Sequence, residues 1–208
     1  MKKFTKMWAI AACALFAGTA AVNAEDYTWK FVTAGDATTY AIRSDGSLWS
    51  WGWNEKGQGG NGVSERTATP TLADGNRVWK KAVGGKAYGF FLAEDGSLWA
   101  AGTHEGGVQG TNDGIDHKVL TRIGTDNDWA DMACSRFWGY SGFAIKTNGT
   151  LWAWGKNSAG QLGIGNTQAQ TAPVQVGADM DWQQVAAGCS SVLALTTDGS
   201  LWGSGINM

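Results

Sequence analysis

The chain has 208 residues, of which 31 are Gly, 13 are Trp and only 2 are Pro; charged residues make up 16% and the formal net charge is −2. Gly at about twice ordinary usage, without Pro or a three-residue period, excludes collagen. Abundant Trp with few charges excludes a disordered chain, which lacks apolar surface to bury, and the charge balance gives no basic footprint for nucleic acid.

Segment 1–24 reads as a secretory signal peptide. Lys2, Lys3 and Lys6 form a positive start, an uncharged run covers 7–22, and Val22-Asn23-Ala24 offers small residues for cleavage. The run is shorter than the roughly 18 apolar residues of a membrane span. Ile10-Ala11-Ala12-Cys13 resembles a lipobox, but the apolar run continues past Cys13, which favours the cleaved signal. The signal holds three of the 16 basic residues and none of the 18 acids, so the mature chain of 184 residues carries −5. The expected location is outside the cytoplasm (secreted, periplasmic or cell-surface), with no membrane span after cleavage. Cys134 and Cys189 are too few for a disulfide scaffold, their spacing fits no zinc or redox motif, and the sequence does not fix whether they pair.

Residues 25–208 are a repeat. Asp45-Gly46-Ser47-Leu48-Trp49 returns as Asp95-Gly96-Ser97-Leu98-Trp99, as Asn148-Gly149-Thr150-Leu151-Trp152 and as Asp198-Gly199-Ser200-Leu201-Trp202, in steps of 50, 53 and 50. A second Trp opens each unit: Trp29, Trp79, Trp129 and Trp182. The units are therefore 29–78, 79–128, 129–181 and 182–208. Each predicts four short strands, which in the first unit cover 29–35, 39–44, 47–51 and a stretch near Pro70-Thr71-Leu72. Asp45-Gly46 predicts a two-residue hairpin turn. Pro70 and Pro173 fall in phase and suit an outer strand, because proline cannot donate to a central ladder. Leu48 and Trp49 point to opposite faces yet both are apolar, so the strand is covered on both sides. The fold class is all-β, a β-propeller of four-stranded antiparallel blades.

The pattern W-x-x-V-x-A-G, D-G-S-L-W-x-W-G and G-Q-x-G-x-G resembles the regulator-of-chromosome-condensation repeat of secreted bacterial type. Its best copies are 45–62 and 148–165, including Gly57-Gln58 and Gly160-Gln161. The second unit departs from it at 103–110, and Ala101 and Ser204 replace the second Trp of the third strand. The resemblance implies a seven-bladed propeller that binds other proteins; some relatives are guanine-nucleotide exchange factors and some are secreted enzyme inhibitors. Three whole units and a fourth stopping after its third strand predict an incomplete arc of about four blades. The expectation is a fragment of a longer propeller, or self-association through open blade edges.

The repeated Trp and Gly residues are read as structural, and the Gly-Gln segments as turns whose Gln side chains bond nearby backbone. No catalytic constellation is readable. His104 and His117, with Asp113 and Asp116, match no metal-ligand spacing and are read as a solvated loop, so neither metal nor cofactor is expected. Asn148-Gly149-Thr150 matches a glycosylation sequon but occupies a tight turn. The informative irregularity is a three-residue insertion within 134–142. It brings Arg136, Phe137, Trp138 and Tyr140 into one loop, and Arg, Trp and Tyr are the types enriched in interface hot spots. Lys86 and Tyr88, at the matching loop of unit two, are expected beside them; the alternative is that Phe137 and Trp138 fold back onto an adjacent blade. The residues support a non-enzymatic, exported protein-binding or scaffold module with an unidentified protein partner and no nucleic acid. A carbohydrate-binding propeller is the alternative, with an exchange-factor-like regulator behind it.

Overall fold

The structure, a computed structural model, describes residues 28–178 and 181–206; the signal-peptide reading of 1–24 lies outside them. Four antiparallel meanders follow one another. The first contains β1 (Trp29–Ala34), β2 (Thr38–Arg43), β3 (Leu48–Gly52) and β4 (Thr67–Asp74). The second contains β5 (Trp79–Gly84), β6 (Tyr88–Ala93), β7 (Leu98–Gly102) and β8 (His117–Arg122). The third contains β9 (Trp129–Cys134), β10 (Ser141–Lys146), β11 (Leu151–Gly155) and β12 (Gln170–Gln175). Among the described residues the fourth contains β13 (Trp182–Ala187), β14 (Ser191–Thr196) and β15 (Leu201–Gly205). These are propeller blades. The first strands β1, β5, β9 and β13 pack on one another along the axis. Pro70 and Pro173 lie in the edge strands β4 and β12, where the ladder with the third strand slips register and no donor is required.

Cores form between successive blades. Tyr40, Ile42 and Leu48 of the first blade meet Trp79, Phe91 and Ala101 of the second. Phe90, Leu92 and Leu98 meet Met132, Ala144 and Trp154. Phe143, Ile145 and Leu151 meet Trp182, Val185 and Val192. The β6 strand is buried along its whole length, as expected of a strand covered on both faces.

The repeated sequence marks explain themselves at the turns. The loop between second and third strands is not the expected two-residue turn. Gly46 N–H donates to the Arg43 carbonyl and Arg43 N–H to the Ser47 carbonyl, which closes a three-residue loop, 44–46. Gly46 sits at φ +87°, the left-handed conformation that such a loop demands at its last position. The longer loop lets the Asp45 carboxylate accept from both the Ser47 N–H (2.9 Å) and Oγ–H (2.6 Å). Ser47 Oγ in turn accepts from the Trp49 indole at 2.8 Å. The same relay runs through Asp95, Ser97 and Trp99, and through Asn148, Thr150 and Trp152. In these blades the third-strand Trp lies edge-on to the Trp that opens its unit, as Trp202 does to Trp182 without the relay. The centroids of Trp79 and Trp99 are 6.3 Å apart at 80°, and those of Trp129 and Trp152 are 6.0 Å apart at 84°. Such pairs are worth about 0.5–1.5 kcal/mol beyond their burial.

Ser97→Ala should cost about 1–2 kcal/mol in urea unfolding, because it strands the Trp99 indole N–H and an Asp95 lone pair. Ser200→Ala should cost less than about 0.5 kcal/mol, because Ser200 is exposed and Trp202 makes no such bond among the described contacts. Equal losses would count against the relay.

Hydrogen bonds from Ser97, first the side chain and then the backbone, hold Asp95 below its usual 3.8. A depressed folded value stabilises the fold at pH above the unfolded value and loses that contribution as pH falls through the folded one. Asp95→Asn should therefore flatten the loss of stability between about pH 5 and about pH 2.

Candidate functional site

The loops joining first to second strands share one face with the long third-to-fourth strand segments, and the Asp-Gly turns lie at the opposite end. Three of these loops are alike: Gly35-Asp36-Ala37, Gly85-Lys86-Ala87 and Gly188-Cys189-Ser190. The third blade replaces the pattern with six residues, Ser135 to Tyr140, so the insertion sits between β9 and β10.

This loop is anchored to the first, second and fourth blades. Phe137 N–H donates to the Asp36 carboxylate of the first blade at 3.0 Å, across 101 residues of sequence. The Tyr88 hydroxyl of the second blade donates to the Ser135 carbonyl at 2.6 Å, and the Lys86 ammonium lies over the Trp138 ring. Arg136 N–H donates to the Gly188 carbonyl of the fourth blade at 3.3 Å. Gly139 closes the turn by donating to the Arg136 carbonyl; a Cβ there would run into the Cys189 carbonyl oxygen and Ser135. Phe137 and Tyr140 take φ of +51° and +45°, a region costly for bulky side chains and held only where surrounding contacts impose it.

The anchoring sorts the expected site residues into two groups. Phe137 and Trp138 are 60% and 59% exposed, and Arg136 is exposed beside them. Tyr88 and Tyr140 are 0% and 3% exposed. The expectation that these two tyrosines present a surface is corrected: their rings stack 5.9 Å apart beneath the loop, because Tyr88 is needed to satisfy the Ser135 carbonyl. Tyr140 stacks edge-on against Trp138 at 6.3 Å. Burial, followed by a hydrogen bond with Glu105, pushes the Tyr140 hydroxyl up to about 12. Asp36 and the Cys189 backbone are the parts of the site that the sequence does not point to. The visible signal was that Asp36 and Lys86 occupy one repeat position with opposite charge.

The repeated residues serve the frame. Trp79, Trp129 and Trp182 are buried, whereas Trp29 and Trp202, on the two end blades, are about half exposed. Gly96, Gly149 and Gly199 take the same positive φ as Gly46. Gln58 and Gln161 each accept a nearby backbone N–H through Oε1.

The histidines form two separate pairs. His104 Nδ1 meets Asp116 at 2.7 Å and His117 Nε2 meets Asp113 at 2.8 Å. Among the described residues no group of three His, Cys, Asp or Glu could hold a metal. Cys134 and Cys189 are free; burial pushes the Cys134 thiol up to about 12, while Cys189 is exposed.

The description "Regulator of chromosome condensation (RCC1) repeat" matches residues 45–92 and 148–195, and a second description of the same repeat matches 29–58. The chain belongs to the regulator of chromosome condensation repeat family. It is 31% identical over 185 residues to the ultraviolet-B receptor UVR8 of Arabidopsis thaliana, covering 86% of this chain and 42% of that protein. Human WBSCR16 superposes with a TM-score of 0.75 at 20% identity, over 86% of this chain and 47% of that one. Yeast RCC1 (Prp20), solved with Kap60 bound, gives 0.74 at 22% identity, over 86% and 44%. These likenesses establish the RCC1-repeat propeller fold, and the chain spans less than half the length of these relatives.

Asp36→Ala should release the loop while leaving the blades folded. Trypsin should then cut after Arg136 about tenfold faster, as expected for loss of a hydrogen bond to a charged group, with an unchanged far-ultraviolet circular dichroism spectrum.

Proposed function

We propose that the chain is a non-enzymatic protein-binding module that works outside the cytoplasm and engages its partner through the third-blade loop. The observation that carries this reading is the pairing of exposed Phe137, Trp138 and Arg136 with a backbone anchored to the first, second and fourth blades. Aromatic side chains bring large contact area at low entropic cost, and Arg adds a planar set of donors, which is why a few such residues dominate interfaces. A propeller supplies the rigid support, and its loops vary without disturbing the frame. The solved yeast relative has a protein, Kap60, bound, which fits a protein-binding reading in general terms. The export part of the proposal rests on the signal-like sequence of 1–24.

The test is capture of exported proteins from the producing cell on immobilised mature chain. Arg136→Ala with Trp138→Ala should reduce the retained partner about tenfold or more, as hot-spot truncations do. Glu94→Ala, on the Asp-Gly face, should leave retention unchanged. Equal retention by the double variant, or no retained protein, would contradict the reading.

A further inference from the structure

We infer that the third-blade loop face recognises an acidic peptide segment, in which clustered carboxylates flank an apolar side chain. This rests on the loop being the docking surface, and adds the chemistry of what docks.

The loop face is locally cationic on a chain that is acidic overall. Arg136 is exposed, and its guanidinium has no hydrogen-bond acceptor or ion pair among the described contacts. Lys86 is engaged only with the face of the Trp138 ring, which leaves its charge uncancelled. Lys156 is exposed and without an ion pair among the described residues, and its N–H donates to the Tyr140 carbonyl at 2.8 Å, which places it at the edge of the loop. Asp36, which accepts from Phe137 N–H, and Glu105, beside Tyr140, keep their charges, so beside the loop the three cations Arg136, Lys86 and Lys156 exceed these two acids by one. Deeper along the axis, Lys81 is matched by Asp131 at 2.5 Å. Arg136, Lys86 and Lys156 thus bring three cations without an ion pair among the described residues to the surroundings of the exposed rings.

A guanidinium with free donors fits a carboxylate by two parallel hydrogen bonds. Phe137 and Trp138 offer an apolar seat within the same loop. An acidic partner need not be repelled by the net charge of −5. The turn residues Asp45, Asp95 and Asp198 lie at the far end of strands that are five or six residues long, a span of about 17–20 Å. The screening length at physiological salt is about 8 Å, so the partner meets the local field of Arg136, Lys86 and Lys156.

Fluorescence anisotropy of labelled peptides on the intact mature chain tests this. A repeated Glu-Glu-Leu peptide should bind, and binding should weaken as salt rises from about 50 to about 300 mM. A repeated Lys-Lys-Leu peptide should not bind. Arg136→Glu should weaken the acidic peptide about tenfold or more. Lys156→Glu, which leaves the loop sequence untouched, should weaken it about threefold, and thermal unfolding should show both variants folded. Failure of the acidic peptide to bind, equal binding of the basic peptide, or indifference to both charge reversals would overturn the inference. Equally tight binding of oligothymidylate would also overturn it, by reducing the site to a general polyanion surface. If Arg136→Ala with Trp138→Ala still abolishes partner capture while the acidic peptide fails, the docking surface stands and only its acidic ligand falls.

Discussion

One contact organises the whole chain: the backbone N–H of the Trp that opens a blade donates to the turn glycine carbonyl of the blade before it. Trp79 donates to Gly46, Trp129 to Gly96 and Trp182 to Gly149, at 3.0 to 3.2 Å. Each bond joins the two strongest marks of the repeat across a blade boundary. The turn must place its glycine carbonyl outward, which requires the left-handed glycine, and the Trp must lie where its ring closes edge-on over the third-strand Trp. Changing the turn therefore disturbs three things together: the Asp-Ser-Trp relay, the Trp pair and the seat of the next blade. That coupling gives a physical reason for the four units to keep phase at this end.

The opposite end has no equivalent bond at every blade boundary, although Asp36 N–H donates to the Gly85 carbonyl and Arg136 N–H to the Gly188 carbonyl, and there the units diverge. The bonds between these loops run through the backbone and prescribe no side chain at the loop centre, so Asp36, Lys86 and Cys189 can share a repeat position. The third blade uses this freedom most. Its six-residue loop lies over the inner strands and takes hydrogen bonds from, or gives them to, the first, second and fourth blades. The local cost is two bulky residues at positive φ. What results is a pair of exposed rings and a guanidinium on a backbone that contacts hold from several sides, which suits a recognition surface more than a solvated loop.

The sequence made the frame legible because its signals are local. Glycine before a strand, apolar side chains on both faces at Leu48 and Trp49, and proline at a sheet edge each report on neighbouring residues. The insertion was visible as a break in spacing, and its loop emerged at the expected place. The Asp-Gly loop is one residue longer than the dipeptide predicts, because Asp45 uses its side chain to bond Ser47, a preference that the dipeptide alone does not reveal. Within the site, residue type could not say which aromatic rings face outward. Phe137 and Trp138 do, while Tyr88 and Tyr140 serve beneath them, since a buried carbonyl at Ser135 must find a donor. The Asp36 contact, 101 residues from its partner, is set by the curvature of the arc and has no local signature.

The central claim is that the third-blade loop is held in place before any partner arrives. Residue-resolved amide hydrogen exchange on the isolated mature chain tests it most directly. Phe137, Arg136 and Gly139 should exchange at least about tenfold more slowly than unstructured peptide, because each N–H is hydrogen-bonded. Exchange of these three amides at the unstructured rate, with the β9 and β10 amides still protected, would contradict the account.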